Sequence, residues 1–227
     1  PRHGRAGSMT CNMMDIYGLL LEDGGHQHWW PGETAFEVAV GAVLTQNTSF
    51  SGVTRAIDRM KAAGLMSPAA IVAAPDEVVG LAIRPSGYFN VKTARLKALC
   101  RFLLENDAAD PASLARFPVP RLRQMLLAVH GVGRETADSI ILYATNRPIF
   151  VIDAYTRRIF SRMGLVQADS DYDVLRTFFE KSLPCDAAVY NDFHAQIVRC
   201  AKECCRKRPI CDKCVLRQSC RTGMAEA

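Results

Sequence analysis

No apolar run in this 227-residue chain approaches the roughly 20 residues that a membrane helix requires. A membrane is therefore not expected among its partners. No secretory signal is visible in the opening residues, so a secreted protein is not expected. The stretch Pro1-Arg2-His3-Gly4-Arg5-Ala6-Gly7-Ser8 precedes Met9 and reads as an appended leader, residues 1–8, outside the fold. Strict alternation of apolar and polar residues is missing, so a sheet has little basis. The best strand candidate, Ile149-Phe150-Val151-Ile152, is short and isolated and reads better as a buried linker between helices. Repeats and low-complexity tracts are also lacking. Tryptophan occurs only twice, side by side at Trp29 and Trp30.

What is present is helical periodicity. Hydrophobic residues make up 49% of the chain, enough for a packed core in one large domain or two modest ones. Phe36, Ala39, Val40, Val43 and Leu44 recur at i, i+3, i+4, i+7 and i+8, and Leu96, Leu99, Cys100, Leu103 and Leu104 repeat that spacing. Glu33 and Thr34 stand where the first of these helices starts. Ser67-Pro68 is an N-cap followed by proline at the first helical position, and Pro75-Asp76-Glu77 opens another helix. Gly64, Gly80 or Gly87, and Gly164 mark helix ends. The fold class is all-α.

Nine cysteines without a secretory leader argue against a disulfide framework and for metal binding in a reducing compartment. Four of them, Cys204, Cys211, Cys214 and Cys220, follow C-x6-C-x2-C-x5-C. Soft thiolates at this density suit zinc or an iron–sulfur cluster. A zinc ribbon usually has two C-x2-C knuckles, and here there is one. Cys205 could replace Cys204 on chemical grounds alone. Of the remaining cysteines (Cys11, Cys100, Cys185, Cys200, Cys205), Cys100 lies on an apolar helix face and reads as core. The formal net charge is +5. Arg199, Lys202, Arg206, Lys207, Arg208, Lys213, Arg217 and Arg221 against Glu203 and Asp212 give their segment +6 and leave −1 for the rest. Alone such a run is a solvated tail. Interleaved with the cysteines, it points to a polyanion such as nucleic acid.

A second motif is Val129-His130-Gly131-Val132-Gly133-Arg134-Glu135-Thr136-Ala137-Asp138. One helix ends, two glycines flank an apolar residue, and another helix begins. The glycines permit positive φ and let a phosphate approach free N–H groups. Some twenty residues on, Val151-Ile152-Asp153-Ala154 places a carboxylate after an apolar run and before a helix. In isolation Asp153 is an ordinary N-cap. The paired tryptophans are equally read as a packing cluster or as a stacking wall for an extruded base, suited to a cationic one.

The cysteine spacing resembles the [4Fe–4S] loop of endonuclease III and its adenine-glycosylase relatives, and the glycine motif resembles that superfamily's helix-hairpin-helix. The resemblance implies a [4Fe–4S] cluster on Cys204, Cys211, Cys214 and Cys220. It implies DNA contacts from Gly131, Val132, Gly133 and Arg134 and from Arg206, Lys207 and Arg208, with Val132 at the hairpin tip. It makes Asp153 the catalytic carboxylate, able to stabilise positive charge on the sugar and to activate a nucleophile. His130 stands where a proline is common. Glu135 stands where endonuclease III has the lysine that forms a Schiff base, and glutamate cannot do so. That departure favours a monofunctional glycosylase over an AP lyase.

Between Trp29 and Arg158, and faintly on to His194, the chain also resembles the third bacterial type of 3-methyladenine DNA glycosylase. The resemblance rests on Trp29-Trp30-Pro31, Phe36-Glu37, the stretch Gly41 to Phe50, Arg84-Pro85-Ser86-Gly87-Tyr88 and Gly133 to Asp138. It implies a base pocket of Trp29, Trp30, Pro31 and Phe50 with Glu135, and a Gln46 that enters the space left by a flipped nucleotide. That group lacks the four cysteines, which puts the lesion in doubt. The expectation is base excision from double-stranded DNA, most favourably of an alkylated purine, by a cytoplasmic monomer at a bacterial or archaeal nucleoid. A pyrimidine glycosylase with lyase activity and a non-catalytic damage-binding module are the competing readings. The expected architecture is a helical core over 32–146 and a cluster subdomain of 9–31 plus 147–227. DNA would lie in the cleft between them.

Overall fold

A computed structural model describes residues 12–225. Residues 1–8, together with Met9 and Cys11, lie outside the described residues. In chain order the helices are α1 (Met13–Gly24), α2 (Ala35–Leu44), α3 (Phe50–Ala62), α4 (Pro68–Ala73), α5 (Asp76–Ile83) and α6 (Phe89–Glu105). They continue with α7 (Val119–Leu127), α8 (Arg134–Ser139), α9 (Ala154–Met163), α10 (Tyr172–Ser182), α11 (Ala187–Glu203) and α12 (Arg221–Ala225). No strand occurs among the described residues, so the all-α expectation holds. The apolar stretch 149–152 is buried and neither helix nor strand.

The chain separates into two compact units. One contains residues 28–151 and 186–190. The other contains residues 12–27, 152–185 and 191–225, so α1 folds with segments from far along the chain. Helix α11 begins in the first unit and continues in the second.

In the first unit α2 is the central element. Its residues from Phe36 to Leu44 are all buried, so it is surrounded rather than amphipathic. It packs on α3, α6 and α8. Thr34 caps it by accepting from the Glu37 N–H at 3.1 Å. The buried Glu37 carboxylate is met by Lys61 at 3.0 Å, which offsets its desolvation. Ser67 caps α4, accepting from the Ala70 N–H. Of the second predicted stripe, Leu96, Leu99, Cys100 and Leu103 are fully buried while Leu104, at the helix end, is 39% exposed. Burial pushes the Cys100 thiol up to about 12, as fits a core residue. Gly64 and Gly87 have positive φ after their helical segments, whereas Gly80 lies inside α5.

In the second unit α1 carries a capping box between Asn12 and Asp15. The C-terminal end of α1 is closed by Arg199, which donates to the Leu20 carbonyl at 3.1 Å and to Asp23 at 2.7 Å. A Cβ on Gly24 would sit 2.3 Å from this guanidinium. Tyr17 donates to Asp192 and lies 5.3 Å from Phe193 between ring centres. Phe160 packs edge to face on both Phe179 and Phe193, which are tilted against each other.

Candidate nucleic-acid and base-recognition sites

The glycine motif forms a hairpin between α7 and α8. Gly131 has φ +80, a conformation that favours glycine. The Val132 N–H donates to the Val129 carbonyl at 3.1 Å, and Val132 is 6% exposed, so the tip folds inward. Gly133 is extended and precedes α8. His130, Gly133, Arg134 and Glu135 are exposed. The two helices are locked by an ion pair that motif reading did not supply. Arg123 Nε of α7 meets Asp138 Oδ1 of α8 at 2.7 Å, and Asp138 is wholly buried.

Gln46 is attached to this hairpin. Its Nε2 donates to the Gly131 carbonyl at 3.1 Å and to Thr136 Oγ1 at 2.9 Å. Its Oε1 accepts from Arg95 Nη1. One turn earlier on α6, the buried Lys92 ammonium donates to the carbonyls of Leu44 and Ser86, both at 2.7 Å, and to Thr48 Oγ1 at 2.6 Å. Burial, assisted by the charge of Arg95, lowers Lys92 to about 8. Thr48 in turn donates to the Ser86 carbonyl. The loop from Thr45 to Ser49 is thus gripped at both ends by one face of α6.

The same unit gathers the aromatics. Trp29 and Trp30, joined by a cis peptide, have ring centres 5.3 Å apart. Phe50 lies 4.9 Å from Trp29 and 6.0 Å from Trp30. Tyr143, 5.4 Å from Trp30, completes the group. All four are half-buried. Tyr143 comes from a π-helical segment, Ile140–Ala144, that extends α8. Its sequence gives no periodic signal for that turn. Gly41 of α2 makes room for the Trp30 indole, because a Cβ there would lie 3.1 Å from it. Pro31 is exposed.

In the other unit Asp153 is the N-cap of α9. One carboxylate oxygen accepts from Thr156 N–H at 2.7 Å and Thr156 Oγ1 at 2.8 Å. The other lies 3.8 Å from His194 Nε2. Burial lowers the pKa of His194, and the Asp153 charge opposes that shift. The neutral imidazole therefore predominates at pH 7. Asp153 itself keeps 14% of its side-chain surface open. The expected N-cap is present: one carboxylate oxygen is committed to capping and the other is not bonded to Thr156.

Cys204, Cys205, Cys211, Cys214 and Cys220 line one small hollow with Arg162, Pro209 and Arg217. No disulfide forms among the described cysteines. No group of three or more His, Cys, Asp or Glu placed to hold a metal ion occurs among the described residues. The loop is braced from α9. Arg158 donates to the carbonyls of Cys205 and Ala201. Arg162 donates to the carbonyls of Arg206 at 2.6 Å and Lys207 at 2.8 Å. Arg206, Lys207 and Arg208 are exposed. Other members of the basic run are committed elsewhere: Arg199 to Asp23 and Glu203, and Arg217 to Asp212.

Residues 40–185 match the HhH-GPD superfamily of base excision DNA repair proteins. A protein of Methanocaldococcus jannaschii, provisionally named a DNA repair glycosylase, is 44% identical over 207 residues, covering 90% of this chain and 94% of its own. The 3-methyladenine DNA glycosylase MagIII of H. pylori, solved with 1,N6-ethenoadenine, is 28% identical with a TM-score of 0.73, covering 83% of this chain and 96% of that one. A non-covalent endonuclease III–DNA complex shares the fold, with a TM-score of 0.79 at 22% identity, over 93% of this chain and 94% of that one. Among the described residues no helix is long and apolar enough to cross a membrane.

Proposed function

Since the chain belongs to the HhH-GPD superfamily and is a base-excision DNA glycosylase, we propose that it hydrolyses the N-glycosidic bond of an alkylated purine, of the 3-methyladenine class, without AP lyase chemistry. The observation that carries this reading is the group of Trp29, Trp30, Phe50 and Tyr143. Four electron-rich rings packed at 4.9–6.0 Å leave faces on which a flat, positively charged base can stack. The resemblance to a glycosylase solved with an alkylated adenine derivative supports it.

N-alkylation puts positive charge on the purine and weakens its bond to the sugar. Little general-acid assistance is then needed. The nucleotide is extruded from duplex DNA, its base stacks on the aromatic group, and Asp153 stabilises the positive charge that grows on the sugar. Thr156 fixes one oxygen of Asp153 so that the other can address the sugar or a water. Glu135, exposed at the start of α8, occupies the position where an amine nucleophile would be needed for a lyase. Double-stranded DNA would be held through phosphates by Gly131, Val132, Gly133 and Arg134 at the hairpin and by Arg206, Lys207 and Arg208 at the cysteine loop. Gln46 would fill the space that the base leaves. The protein would act as a monomer in the cytoplasm.

The cysteine donor set fits a [4Fe–4S] cluster. Four thiols in the x6-x2-x5 order line a common hollow, and two α9 arginines hold their loop. Cys204, Cys211, Cys214 and Cys220 would be the ligands, with Cys205 facing Arg162 instead. The cluster would act as a structural staple for the basic loop.

The decisive assay uses duplexes carrying 3-methyladenine-type lesions, thymine glycol or an abasic site, with and without alkali and borohydride. Alkali-dependent breaks at the alkylated purine are expected. A borohydride-trapped adduct would instead establish the pyrimidine glycosylase and lyase reading. Asp153→Asn should abolish base release while retaining duplex binding, and undiminished turnover would mean that a different carboxylate acts.

A further inference from the structure

Arg95 does more than its place in α6 requires. Its side chain crosses directly over the hairpin glycine: a Cβ on Gly131 would fall 2.1 Å from Arg95 Cγ and 2.9 Å from its Nε. Its Nη1 donates to Gln46 Oε1, while the Gln46 amide nitrogen holds the Gly131 carbonyl and Thr136. Arg95 is half-buried, so its guanidinium retains access to solvent. A full positive charge thus stands at the hairpin, paired with a neutral amide oxygen.

We propose that Arg95 is a shared ligand that couples phosphate binding to the release of Gln46. Without DNA, Arg95 holds Gln46 docked on the hairpin. When a backbone phosphate reaches the hairpin, the guanidinium turns to it. Both contacts have a cationic donor, but phosphate also carries a negative charge and can take two N–H groups of the guanidinium fork at once, so phosphate outcompetes the neutral amide oxygen. Gln46 then loses one of its three anchors and becomes able to leave the hairpin for the base stack. The apolar stem of Arg95 stays over Gly131 throughout. This inference rests on duplex DNA binding at the hairpin. It adds to the proposed DNA site a residue that the glycine motif does not contain, and a trigger for the proposed movement of Gln46.

The test is the salt dependence of binding to a duplex with an uncleavable abasic analogue, for wild type, Arg95→Met, Gln46→Ala and the double variant. Methionine keeps an apolar stem over Gly131 and removes the charge. Arg95→Lys serves as a second variant that retains charge if the methionine protein is poorly folded. The expected result is a plot of log K against log salt that is shallower by about 0.9 for Arg95→Met, the value for one phosphate contact. The lysine variant should keep the wild-type slope. The loss should persist in the Gln46→Ala background, with binding about tenfold weaker at low salt. A wild-type slope for Arg95→Met, or a loss that disappears once Gln46 is gone, would overturn the proposal and leave Arg95 as a holder of Gln46. If wild type fails to bind the duplex at all, the DNA-binding reading falls with it.

Discussion

At the scale of single residues, Lys92 is the group most exacting in its surroundings. Three acceptors from three places in the chain meet one buried ammonium. Lys92→Met leaves two carbonyls and a hydroxyl without that donor, and a loss of about 2–4 kcal/mol is expected. A shifted urea midpoint with an unchanged slope would register it, and a loss below 1 kcal/mol would show that water replaces the ammonium. His194 gives a pH effect of known sign. Its folded pKa lies below the ordinary value, so at acid pH the unfolded chain takes up a proton that the folded one resists. Its contribution to stability is present above roughly pH 6.5 and is lost as pH falls below it. His194→Gln should lose less stability between pH 7 and pH 5 than wild type does, and equal losses would assign the acid effect elsewhere. Neither residue was legible as a functional position. Lys92 sits in an unremarkable helical pattern, and His194 marked only the faint end of a resemblance. By contrast Trp29, Trp30 and Phe50 do come together, although their partner Tyr143 gave no signal. Pairs such as Gln46 with Arg95 join positions 49 residues apart and have no local signature.

At the scale of elements, caps and periodicity were legible because they are local. Thr34, Ser67, Asp153 and Gly164 end or begin helices through contacts within four residues. What periodicity does not reveal is how many sides of a helix are covered. Helix α2 shows one stripe, yet every residue from Phe36 to Leu44 is buried. The π-helical turn after α8 likewise depends on tertiary packing. Gly41 tests the aromatic group from the α2 side. Gly41→Ala gains about 1 kcal/mol of helix propensity, but its Cβ would press on the indole at 3.1 Å. The expected outcome is a folded protein with altered tryptophan emission and slower release of the alkylated base. An unchanged spectrum and rate would show that Trp30 yields without consequence. The hairpin has its own internal test in Asp138→Ala. Leaving Arg123 beside a lost, wholly buried carboxylate should cost about 3–5 kcal/mol, measurable by denaturant unfolding.

At the scale of the whole molecule, the basic segment is less uniform than its sequence suggests. Arg199 and Arg217 serve internal ion pairs, while Lys202, Lys213 and Arg221 are exposed along with the consecutive Arg206, Lys207 and Arg208 of the cysteine loop. Replacing these consecutive three with serine should weaken binding to every duplex alike and flatten its salt dependence. A lesion-selective loss would contradict a pure phosphate role. For the proposed cluster, purified protein should be brown and contain iron and acid-labile sulfide. Cys214→Ser should remove the colour, whereas Cys205→Ser should keep it. Zinc in a colourless preparation would refute the assignment. The spacing of the cysteines made this region visible, but the two α9 arginines that brace the loop lie about forty residues upstream and were not.

The contacts of α1 also set a timetable for synthesis. Asp23 and Tyr17 find their partners at Arg199 and Asp192, separated along the chain by 176 and 175 residues. At roughly 5–20 residues per second, those partners leave the ribosome about 9–35 s after their α1 counterparts do. The intervening unit has its entire 28–151 stretch available first. Helix α1 therefore cannot complete these two contacts until α11 has been made.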